Sequence, residues 1–473
     1  MSFSLNRKQK EMNNLKKICG FGSMMAAAAA CTPAQEQKPN IVFFFADDIG
    51  TECFGCYGGA EYETPNVDAL AQQGILYSNM NALPLSSPSR VQVMTGMYSD
   101  RNYVCFGYMN DDERTFAHLA QDAGYSTAIV GKWQMGRSRE MVPKLGWDES
   151  FLSQVELYKE CRDVHKTDRF ANSYYDNNGK TYEYCPYGPD AMEDYAFDYI
   201  DRKVAEGQPF MLYFTEPLVH TPHVTTPDSY DWDWNYESRF TAGQDTSYFR
   251  DMVKYMDKQV GNMVAHLKEK GVWDNTIFIF SADNGTSTRI VSKQKDGSRI
   301  RGGKGAPNYR GTHVPLVIAW GDKIGGKTSD RIADLTDIFP TIADICGIDI
   351  PAEWNIDGVS LFPEINGEEP LEKDLSLVHF NPLWPTTPAP YASRYAMNDD
   401  YAYFWDGRIY EYKKDPEFKN PVMYADASEE LKAAVADLKT RVDEVDFYPD
   451  MPGQPRRSDY GTFYDFAPPQ NPF

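Results

Sequence analysis

The sequence has no apolar run long enough to form a permanent membrane-spanning helix. Residues 18–30 form a short apolar run before Cys31, whereas a spanning helix needs about 20 consecutive apolar residues. The sequence also has no HExxH motif, which would place two zinc-binding histidines one helical turn apart. Both observations argue against a membrane-embedded protein and against a metalloprotease of that type.

Positive charge is scarce in this sequence. Lys and Arg number 47 against 69 Asp and Glu, which gives a net charge of −22 at pH 7. Nucleic-acid binding needs a stripe or patch of basic side chains, and the sequence shows no such stripe. The acidic excess indicates a well-solvated surface, and nucleic acid is not an expected partner.

Cysteine is also sparse, with eight residues, of which Cys19 and Cys31 fall in the N-terminal segment. Cys53 and Cys56 have the CxxC spacing of a zinc site, but no second Cys or His pair is suitably spaced. One or two disulfides are compatible with an exported protein, and the spacing does not fix their pairing.

Short apolar runs alternate with helical patterns in residues 39–370. Apolar runs suited to buried strands lie at 41–45, 126–130, 210–214, 276–280 and 314–318. Helical patterns lie at 67–73, 115–123, 191–205, 247–268 and 337–346. This alternation predicts an α/β domain with a large, mostly parallel central sheet covered by helices on both faces.

The residue pattern of the sequence changes from about residue 371. Short runs rich in Tyr and Phe predict a smaller antiparallel sheet, followed by one helix over residues 428–445 and an irregular Pro- and Gly-rich tail. We therefore divide the chain into a leader (1–31), a linker (32–38), a catalytic domain (39–370) and a C-terminal subdomain (371–473).

Oxygen ligands follow two of the predicted strands. Asp47 and Asp48 come after the first strand, and Asp283 and Asn284 come after the strand at 276–280. Ligands collect at the carboxyl ends of parallel strands, so we expect these four side chains to meet there. Three carboxylates and an amide suit a hard divalent cation, with Ca²⁺ preferred over Mg²⁺.

Cationic side chains stand in loops near the same sheet edge. Arg90, Lys132 and Lys304 each follow a predicted strand or lie beside a Gly-rich turn, where glycine lets the backbone approach a bound group closely. His220, in the stretch His-Thr-Pro-His after the strand at 210–214, offers a proton donor. The pattern predicts a bound anion beside the metal.

Five blocks of the sequence resemble the type I sulfatase family of the alkaline phosphatase superfamily. They are ADDIG with CYGG (46–59), SSPSRVQVMTG (86–96), GYSTAIVGKWQMG (124–136), HTPH (220–223) and FSADNG with RGGKG (280–305). Their order and spacing match that family across residues 39–365. The block SSPSR is similar to the serine-type motif of bacterial members.

The resemblance implies a chemistry for each matched position. Ser86 would be oxidised to formylglycine by a radical-type maturation enzyme, and its hydrate would attack sulfur. Asp47, Asp48, Asp283, Asn284 and the modified Ser86 would hold the metal. Arg90 would orient the formylglycine, while Lys132, His220 and Lys304 would bind the sulfate or protonate the leaving alcohol.

Two positions depart from the family pattern. Gln134 stands where the family usually has His, and it can form hydrogen bonds but cannot accept a proton at neutral pH. We expect His223, water or another group to replace that base, or turnover to be slow. His313 replaces an Arg that relatives often carry, and we predict His223 and His313 as substrate-binding residues.

The sequence thus predicts a sulfuric ester hydrolase acting on a sulfated carbohydrate. The high aromatic content, 14%, favours flat surfaces that stack on sugar rings. A phosphodiester or phosphonate hydrolase on the same scaffold is an alternative. A catalytically impaired lipoprotein that binds sulfated glycans is another, because of Gln134.

The N-terminal segment predicts export. Lys16 and Lys17 precede the apolar run, and small residues precede Cys31, as in a secretory signal. The segment resembles a bacterial lipoprotein signal, in which such a Cys is lipidated. We expect a periplasmic protein, or a lipoprotein attached to the outer membrane, of a Gram-negative bacterium.

Overall fold

A ten-stranded mixed sheet forms the centre of the fold. The computed structural model describes residues 38–103, 106–107, 109–135, 139–153, 170, 175–182, 187–232, 246–381 and 393–445. The leader and Cys31 therefore lie outside the described residues. Among the described residues, no helix has the length and apolar character needed to cross a membrane.

The main domain has twelve described strands: β1 (Asn40–Ala46), β2 (Ile75–Asn81), β3 (Ser126–Lys132), β4 (Glu149–Ser153), β5 (Tyr175–Asn177), β6 (Lys180–Tyr182), β7 (Phe210–Thr215), β8 (Thr276–Ala282), β9 (Val291–Lys293), β10 (Arg299–Arg301), β11 (Leu316–Trp320) and β12 (Lys327–Asp334). Strands β9 and β10 form a separate hairpin. The sheet order is β12-β2-β11-β8-β1-β7-β3-β4-β5-β6. Strands β8, β1, β7 and β3 run parallel, as predicted, and β4, which was not predicted, runs parallel to β3.

The helices of the main domain are α1 (Pro65–Gln73), α2 (Ser86–Thr95), α3 (Ser99–Asn102), α4 (Phe116–Asp122), α5 (Met141–Lys144), α6 (Gly188–Glu206), α7 (Phe249–Glu269), α8 (Tyr309–Thr312), α9 (Ile338–Cys346) and α10 (Phe362–Ile365). Helices α1, α6 and α7 pack in one group, and α2, α4 and α9 pack in another. The predicted fold class, a mostly parallel sheet with helices on both faces, is confirmed.

The central strands are apolar along their whole length because both of their faces are covered. Every residue of β1 is buried, and so is every residue of β7 and β8. Aromatic rings stack between neighbouring strands, for example Phe43 on Tyr213 with ring centroids 5.0 Å apart. These contacts fix the position of each strand along its neighbours, and therefore the place at which the following loops begin.

The sequence misplaced several elements. The strand predicted at 314–318 lies at Leu316–Trp320 and runs antiparallel to β8. Strands β2 and β12 were missed because their sequences, ILYSNMN and KTSDRIAD, contain polar residues. Strand β12 lies at the edge of the sheet, where polar and charged residues are tolerated.

A five-stranded antiparallel sheet follows, as predicted, with strands β13 (Ser376–Phe380), β14 (Ser393–Met397), β15 (Ala402–Phe404), β16 (Arg408–Tyr410) and β17 (Val422–Met423). The single helix predicted over 428–445 is wrong, because it is split into α11 (Glu429–Ala434) and α12 (Ala436–Asp443). The buried Val435, with φ −113° and ψ 11°, separates them.

The small sheet packs on the main domain through a shared apolar cluster. Leu83 and Leu85, which precede α2, lie in one cluster with Phe380 and Tyr395 of the small sheet. The Tyr412 hydroxyl accepts a hydrogen bond of 2.9 Å from the Asn79 side chain. The small sheet therefore supports the chain that leads into α2.

The three cysteines of the described residues form no disulfide with one another. Cys53, Cys56 and Cys346 are all free. The Cys53 thiol lies 3.5 Å from the Thr286 hydroxyl and is buried, and burial raises its pKa well above the usual value. Among the described residues, Cys53 and Cys56 belong to no group of three or more potential metal ligands.

The packing of α6 on α7 generates a pH-dependent prediction. Burial raises the pKa of Glu193, which accepts hydrogen bonds from Asn262, from its ordinary value of 4.5 to about 7. The folded protein therefore keeps this proton between pH 4.5 and 7 while the unfolded chain loses it. Stability contributed by the neutral group is full below pH 4.5 and is lost as the pH rises through 7.

Glu193→Gln keeps the side chain neutral at every pH. We expect the free energy of unfolding of the variant, relative to wild type, to rise by about 1–2 kcal/mol between pH 4.5 and 8, since partial solvent exposure reduces the effect. Urea unfolding across this range measures it. The exposed Glu269→Gln variant is the control, and equal pH slopes for both variants would contradict the assignment.

Candidate active site

Adjacent strands bring the predicted oxygen ligands together. Ala46, the last residue of β1, is in register with Ala282, the last residue of β8. Asp48 follows in the left-handed region with φ 64°, and its N–H donates to Asp283 Oδ1 at 3.1 Å. The Asn284 amide donates to Asp48 Oδ1 at 2.9 Å. The four predicted ligands, Asp47 included, are all buried at one edge of the sheet.

Ser86 lies against this group at the first turn of α2. Its hydroxyl donates to Asp283 Oδ2 at 2.5 Å. It accepts hydrogen bonds from Arg90 Nε and from Lys132 Nζ, both at 2.9 Å. Arg90 is four residues after Ser86, so one turn of the helix places both side chains on the same face. The Ser86 oxygen is therefore held by three charged groups.

Each buried carboxylate has a cationic partner. Lys132 Nζ lies 2.6 Å from Asp47 Oδ2, and Arg90 Nη2 lies 3.0 Å from Asp283 Oδ2. Lys304 Nζ lies 2.6 Å from Asp48 Oδ2. The three carboxylates and three cations leave no net charge, which is what burial of so many ionised groups requires.

The pKa directions follow from this arrangement. Burial disfavours the charge of Arg90, but attraction to Asp283 and Asp47 outweighs it and raises the pKa of the guanidinium. Burial, and next the repulsion from Asp47, raise the pKa of the Asp283 carboxyl against the attraction of Arg90 and Lys132. The cationic partners therefore oppose protonation of Asp283.

His220 completes the rim of the cluster. Its Nε2 atom lies 3.0 Å from Lys304 Nζ and 3.6 Å from Asp48 Oδ2. It is partly exposed, whereas Asp48 beneath it is buried. His220 and Lys304 therefore form a pair of proton-bearing groups on the outer side of the carboxylates.

The residues present fit a divalent cation. Potential ligand atoms of Asp47, Asp48 and His220 lie within 4.8 Å of one another. Asp47 Oδ1 and Asn284 Oδ1 are buried, and neither accepts a hydrogen bond from the described residues. Two buried oxygens without a hydrogen bond destabilise the fold unless a cation or a hydrogen-bond donor binds them. Such oxygen-rich surroundings suit hard cations.

The remaining predicted residues lie around the cluster. Gln134 is buried in the left-handed region at φ 51°, and its carbonyl accepts from the Ser87 hydroxyl at 3.2 Å. Its side-chain Oε1 has no hydrogen-bond partner among the described residues. Gln134 is thus tied, through Ser87, to the residue next to Ser86.

The described contacts of His313 are to residues outside the charged cluster. Its ring nitrogens lie 3.1 Å from the Thr51 hydroxyl and 2.9 Å from the Ser78 carbonyl, and its ring stacks on Tyr309. Burial lowers the pKa of His313 to about 4, so the ring is neutral at pH 7. These contacts hold His313 in the loop before β11.

His223 is buried and packs edge-on against Phe249 at the start of α7, with ring centroids 5.2 Å apart. It stands three residues after His220 in the same loop. The substrate-binding role predicted for His223 and for His313 remains a prediction.

The sequence analysis missed the residues that hold the loops after β1 and β8 in place. The Thr286 hydroxyl accepts from the Gly50 N–H at 2.8 Å, and its carbonyl accepts from the Lys304 N–H at 2.9 Å. The ring of Phe45 lies 5.2 Å from the Arg90 guanidinium. Only the proximity of Thr286 to Asp283 and Asn284 in the sequence offers any signal for its role.

The fold brings a cluster of charged residues and a buried serine together at the carboxyl ends of its parallel strands. The family model called Sulfatase matches residues 39–348. The chain belongs to the sulfatase family and is a sulfatase enzyme.

A curated relative agrees with this assignment, and solved structures share the fold. The N-acetylgalactosamine-6-sulfatase of Canis lupus familiaris is 27% identical over 401 residues, which cover 79% of this chain and 74% of that protein. Ps i-CgsB, solved in complex with k-i-k-neocarrahexaose, superposes with a TM-score of 0.70 at 24% identity, covering 90% of this chain and 97% of its own.

A sulfatase structure from work on glycosaminoglycan metabolism by Bacteroides thetaiotaomicron has a TM-score of 0.69 at 20% identity. The superposition covers 86% of this chain and 99% of that one. These two structural similarities support the fold.

The unsatisfied oxygens generate a test of metal binding. We expect Ca²⁺ to raise the melting temperature of the protein, because a ligand that binds only the folded state at 100 times its Kd stabilises by about 2.7 kcal/mol. Asn284→Ala removes one oxygen and should weaken this response at least tenfold in Ca²⁺ concentration. Thermal unfolding in chelator, Ca²⁺ and Mg²⁺ measures it.

The control for that measurement is Asn366→Ala, which removes an exposed amide bonded to Glu368. It should keep the full response to Ca²⁺. A wild-type melting temperature that no divalent cation raises would contradict a metal site in this cluster.

Proposed function

We propose that this sulfatase removes sulfate from a sulfated carbohydrate, using Ser86 after its oxidation to formylglycine together with a bound Ca²⁺. The observation that carries the proposal is the surroundings of the Ser86 oxygen. It lies within hydrogen-bonding distance of Asp283, Arg90 and Lys132. An ordinary helix-start serine needs no such set of charged partners.

The proposed groups supply chemistry that serine alone lacks. A divalent cation would lower the pKa of a bound hydroxyl and offset charge on the sulfate oxygens. A hydrated formylglycine would offer one hydroxyl for attack on sulfur and a second to expel the sulfate. Asp47, Asp48, Asp283 and Asn284 would hold the cation beside position 86.

The chain's own cations orient the reacting groups. Arg90 Nε and Lys132 Nζ both donate to the oxygen on position 86, which fixes the direction from which it would approach sulfur. Lys304 and His220 are 3.0 Å apart on the outer side. We assign them to binding the sulfate and to giving a proton to the leaving alcohol.

Charge balance explains why the site would select an anion. The three buried carboxylates and the three cations cancel, so a divalent cation brings an uncompensated charge of about +2 into a low-dielectric site. The negative charge of a sulfate ester offsets part of it. Neutral esters gain no such stabilisation.

A carbohydrate substrate is supported by the relatives. The canine relative is named as an N-acetylgalactosamine-6-sulfatase, and Ps i-CgsB was solved in complex with k-i-k-neocarrahexaose. Gln134 favours a second candidate, a catalytically impaired protein that binds sulfated glycans, because its amide accepts no proton.

We also propose export and maturation partners. The segment before Cys31 has the features of a secretory signal, and Cys31 is the candidate for lipid attachment. Export to the periplasm, or to the outer membrane of a Gram-negative bacterium, would place the enzyme where glycan fragments arrive. A radical-type serine maturation enzyme would act on the SSPSR block.

Mass spectrometry of the protein coexpressed with a serine-type maturation enzyme tests the mechanism. We expect the peptide containing Ser86 to lose two hydrogens, and hydrolysis of a sulfate ester to depend on that loss. Ser87→Ala, which leaves position 86 intact, should still be oxidised, whereas Ser86→Ala should not. An unmodified Ser86, under conditions that mature a control serine-type sulfatase, would contradict the proposal.

Gln134→His tests the departure from the family pattern. If a missing base limits turnover, the variant should raise kcat roughly 10- to 100-fold, in the range of general-base catalysis, and add a pH dependence near the pKa of His. Gln134→Asn is the control, because it keeps an amide. Equal kcat values for wild type and Gln134→His would show that Gln134 is not limiting.

A further inference from the structure

A local excess of positive charge borders the active site. Residues 289–310 contain one acidic residue, Asp296, and seven basic residues: Arg289, Lys293, Lys295, Arg299, Arg301, Lys304 and Arg310. Seven minus one gives a net charge of +6, in a chain whose total is −22. The expectation that the sequence holds no basic stripe is therefore wrong at this place.

Most of these charges lie on the hairpin of β9 and β10, which we call the basic arm (residues 289–301). Arg299 pairs directly with Lys293, and Arg301 pairs with Val291. Directly paired residues point to the same face of a sheet, and so do residues two apart. Lys293, Arg299 and Arg301 thus share one face, and all three are exposed.

The opposite face and one edge of the basic arm are packed on the protein. Ser292 and Gln294 are buried, and the Gln294 amide donates to the Glu52 carbonyl at 3.0 Å. The Ala60 N–H donates to the Lys293 carbonyl at 2.9 Å. The basic arm therefore holds its cationic face in a fixed position.

Both ends of the basic arm lead into the catalytic cluster. Asn284 precedes it by five residues, and Lys304 follows it by three. The Lys304 N–H donates to the Thr286 carbonyl at 2.9 Å, which closes the base of the hairpin. Strand residues rise about 3.3 Å each, so Arg301 and Arg299 extend outward from the cluster in steps of about 7 Å.

The cations of the shared face have no carboxylate partner among the described residues. No ion pair of Lys293, Arg299 or Arg301 occurs there, and Arg301 donates only to the Thr288 carbonyl, at 2.9 Å. Elsewhere on the surface, cations such as Lys258 and Lys270 pair with carboxylates. Two like charges placed directly opposite each other destabilise a hairpin.

We propose that the basic arm is a docking surface for the anionic groups of a multiply sulfated glycan chain whose scissile sulfate occupies the active site. The proposal rests on the proposed function and adds the class of substrate, an oligosaccharide with several sulfates rather than a singly sulfated sugar. A bound chain of sulfates would offset the repulsion between Lys293 and Arg299.

Charge complementarity favours a glycan over nucleic acid as the occupant. The whole chain carries −22, which opposes long-range attraction of a long polyanion, so a partner must be held by local contacts. The catalytic cluster beside the arm is assigned to a sulfate ester. Sulfates on one oligosaccharide could therefore occupy both places at once.

The double variant K293Q/R299Q tests the proposal. Binding of a heparin hexasaccharide is measured by calorimetry in a Ser86→Ala background, which prevents turnover. At 50 mM NaCl we expect the double variant to bind roughly tenfold more weakly, and we expect the difference to shrink at 500 mM as salt screens the charges. In the protein with Ser86, the rate on the singly sulfated 4-nitrocatechol sulfate should change by less than about twofold.

The matched control is K268Q/K327Q, which removes two exposed charges near the amino ends of β8 and β12. It should leave hexasaccharide binding unchanged. Equal affinity of wild type and K293Q/R299Q for the hexasaccharide at 50 mM NaCl would overturn the proposal. Tighter binding of a single-stranded oligonucleotide than of the hexasaccharide would also overturn it, in favour of nucleic acid.

The design separates this proposal from the proposed function. If matured wild-type protein released no sulfate while K293Q/R299Q still bound the hexasaccharide more weakly than wild type, the result would count against the sulfatase mechanism and support the docking surface. Normal sulfate release by wild type, with unchanged hexasaccharide binding in K293Q/R299Q, would support the sulfatase mechanism and count against the docking surface.

Discussion

The burial of three carboxylates at one edge of the sheet is the constraint on which the site depends. Asp47, Asp48 and Asp283 are almost completely inaccessible to solvent, and isolated charges there would cost several kcal/mol each. The fold meets this cost with three cations from three separate segments. Removing one cation leaves a buried charge unpaired. The same ion pairs therefore stabilise the core and position the residues of the site.

The topology delivers those segments to one place. Neighbouring strands β1 and β8 end in register, and the chain that follows β8 packs closely against α8. A Cβ atom added at Gly285 would lie 2.1 Å from the Arg310 carbonyl oxygen, and one added at Gly303 would lie 2.6 Å from Arg310 Cβ. Glycine at both positions lets Asn284 and Lys304 converge on Asp48.

Much of this could be predicted from the sequence, because long apolar runs and paired acidic residues at strand ends are local signals. The central strands and the three carboxylates of the cluster carried such signals, and its three cations stood beside predicted strands or Gly-rich turns. Strand β12 did not, since an edge strand tolerates polar residues. The break at Val435 depends on packing between α12 and the small sheet, which no local pattern records.

The charged face of β9 and β10 also escaped prediction. Its cations are separated by polar residues along the sequence, and only the pairing of the two strands brings Lys293 and Arg299 side by side. The contacts of His313 could not be predicted either, because its ring nitrogens meet Thr51 and Ser78 from segments distant in sequence.

The burial of α2 has a consequence for biosynthesis. Every residue from Ser86 to Thr95 is inaccessible or nearly so, and Ser86 is only 3% exposed. An enzyme that oxidises Ser86 must bind the surrounding peptide, and the folded chain presents none of it. If Ser86 is oxidised as we propose, the maturation enzyme would have to act before α2 is buried in the folded core.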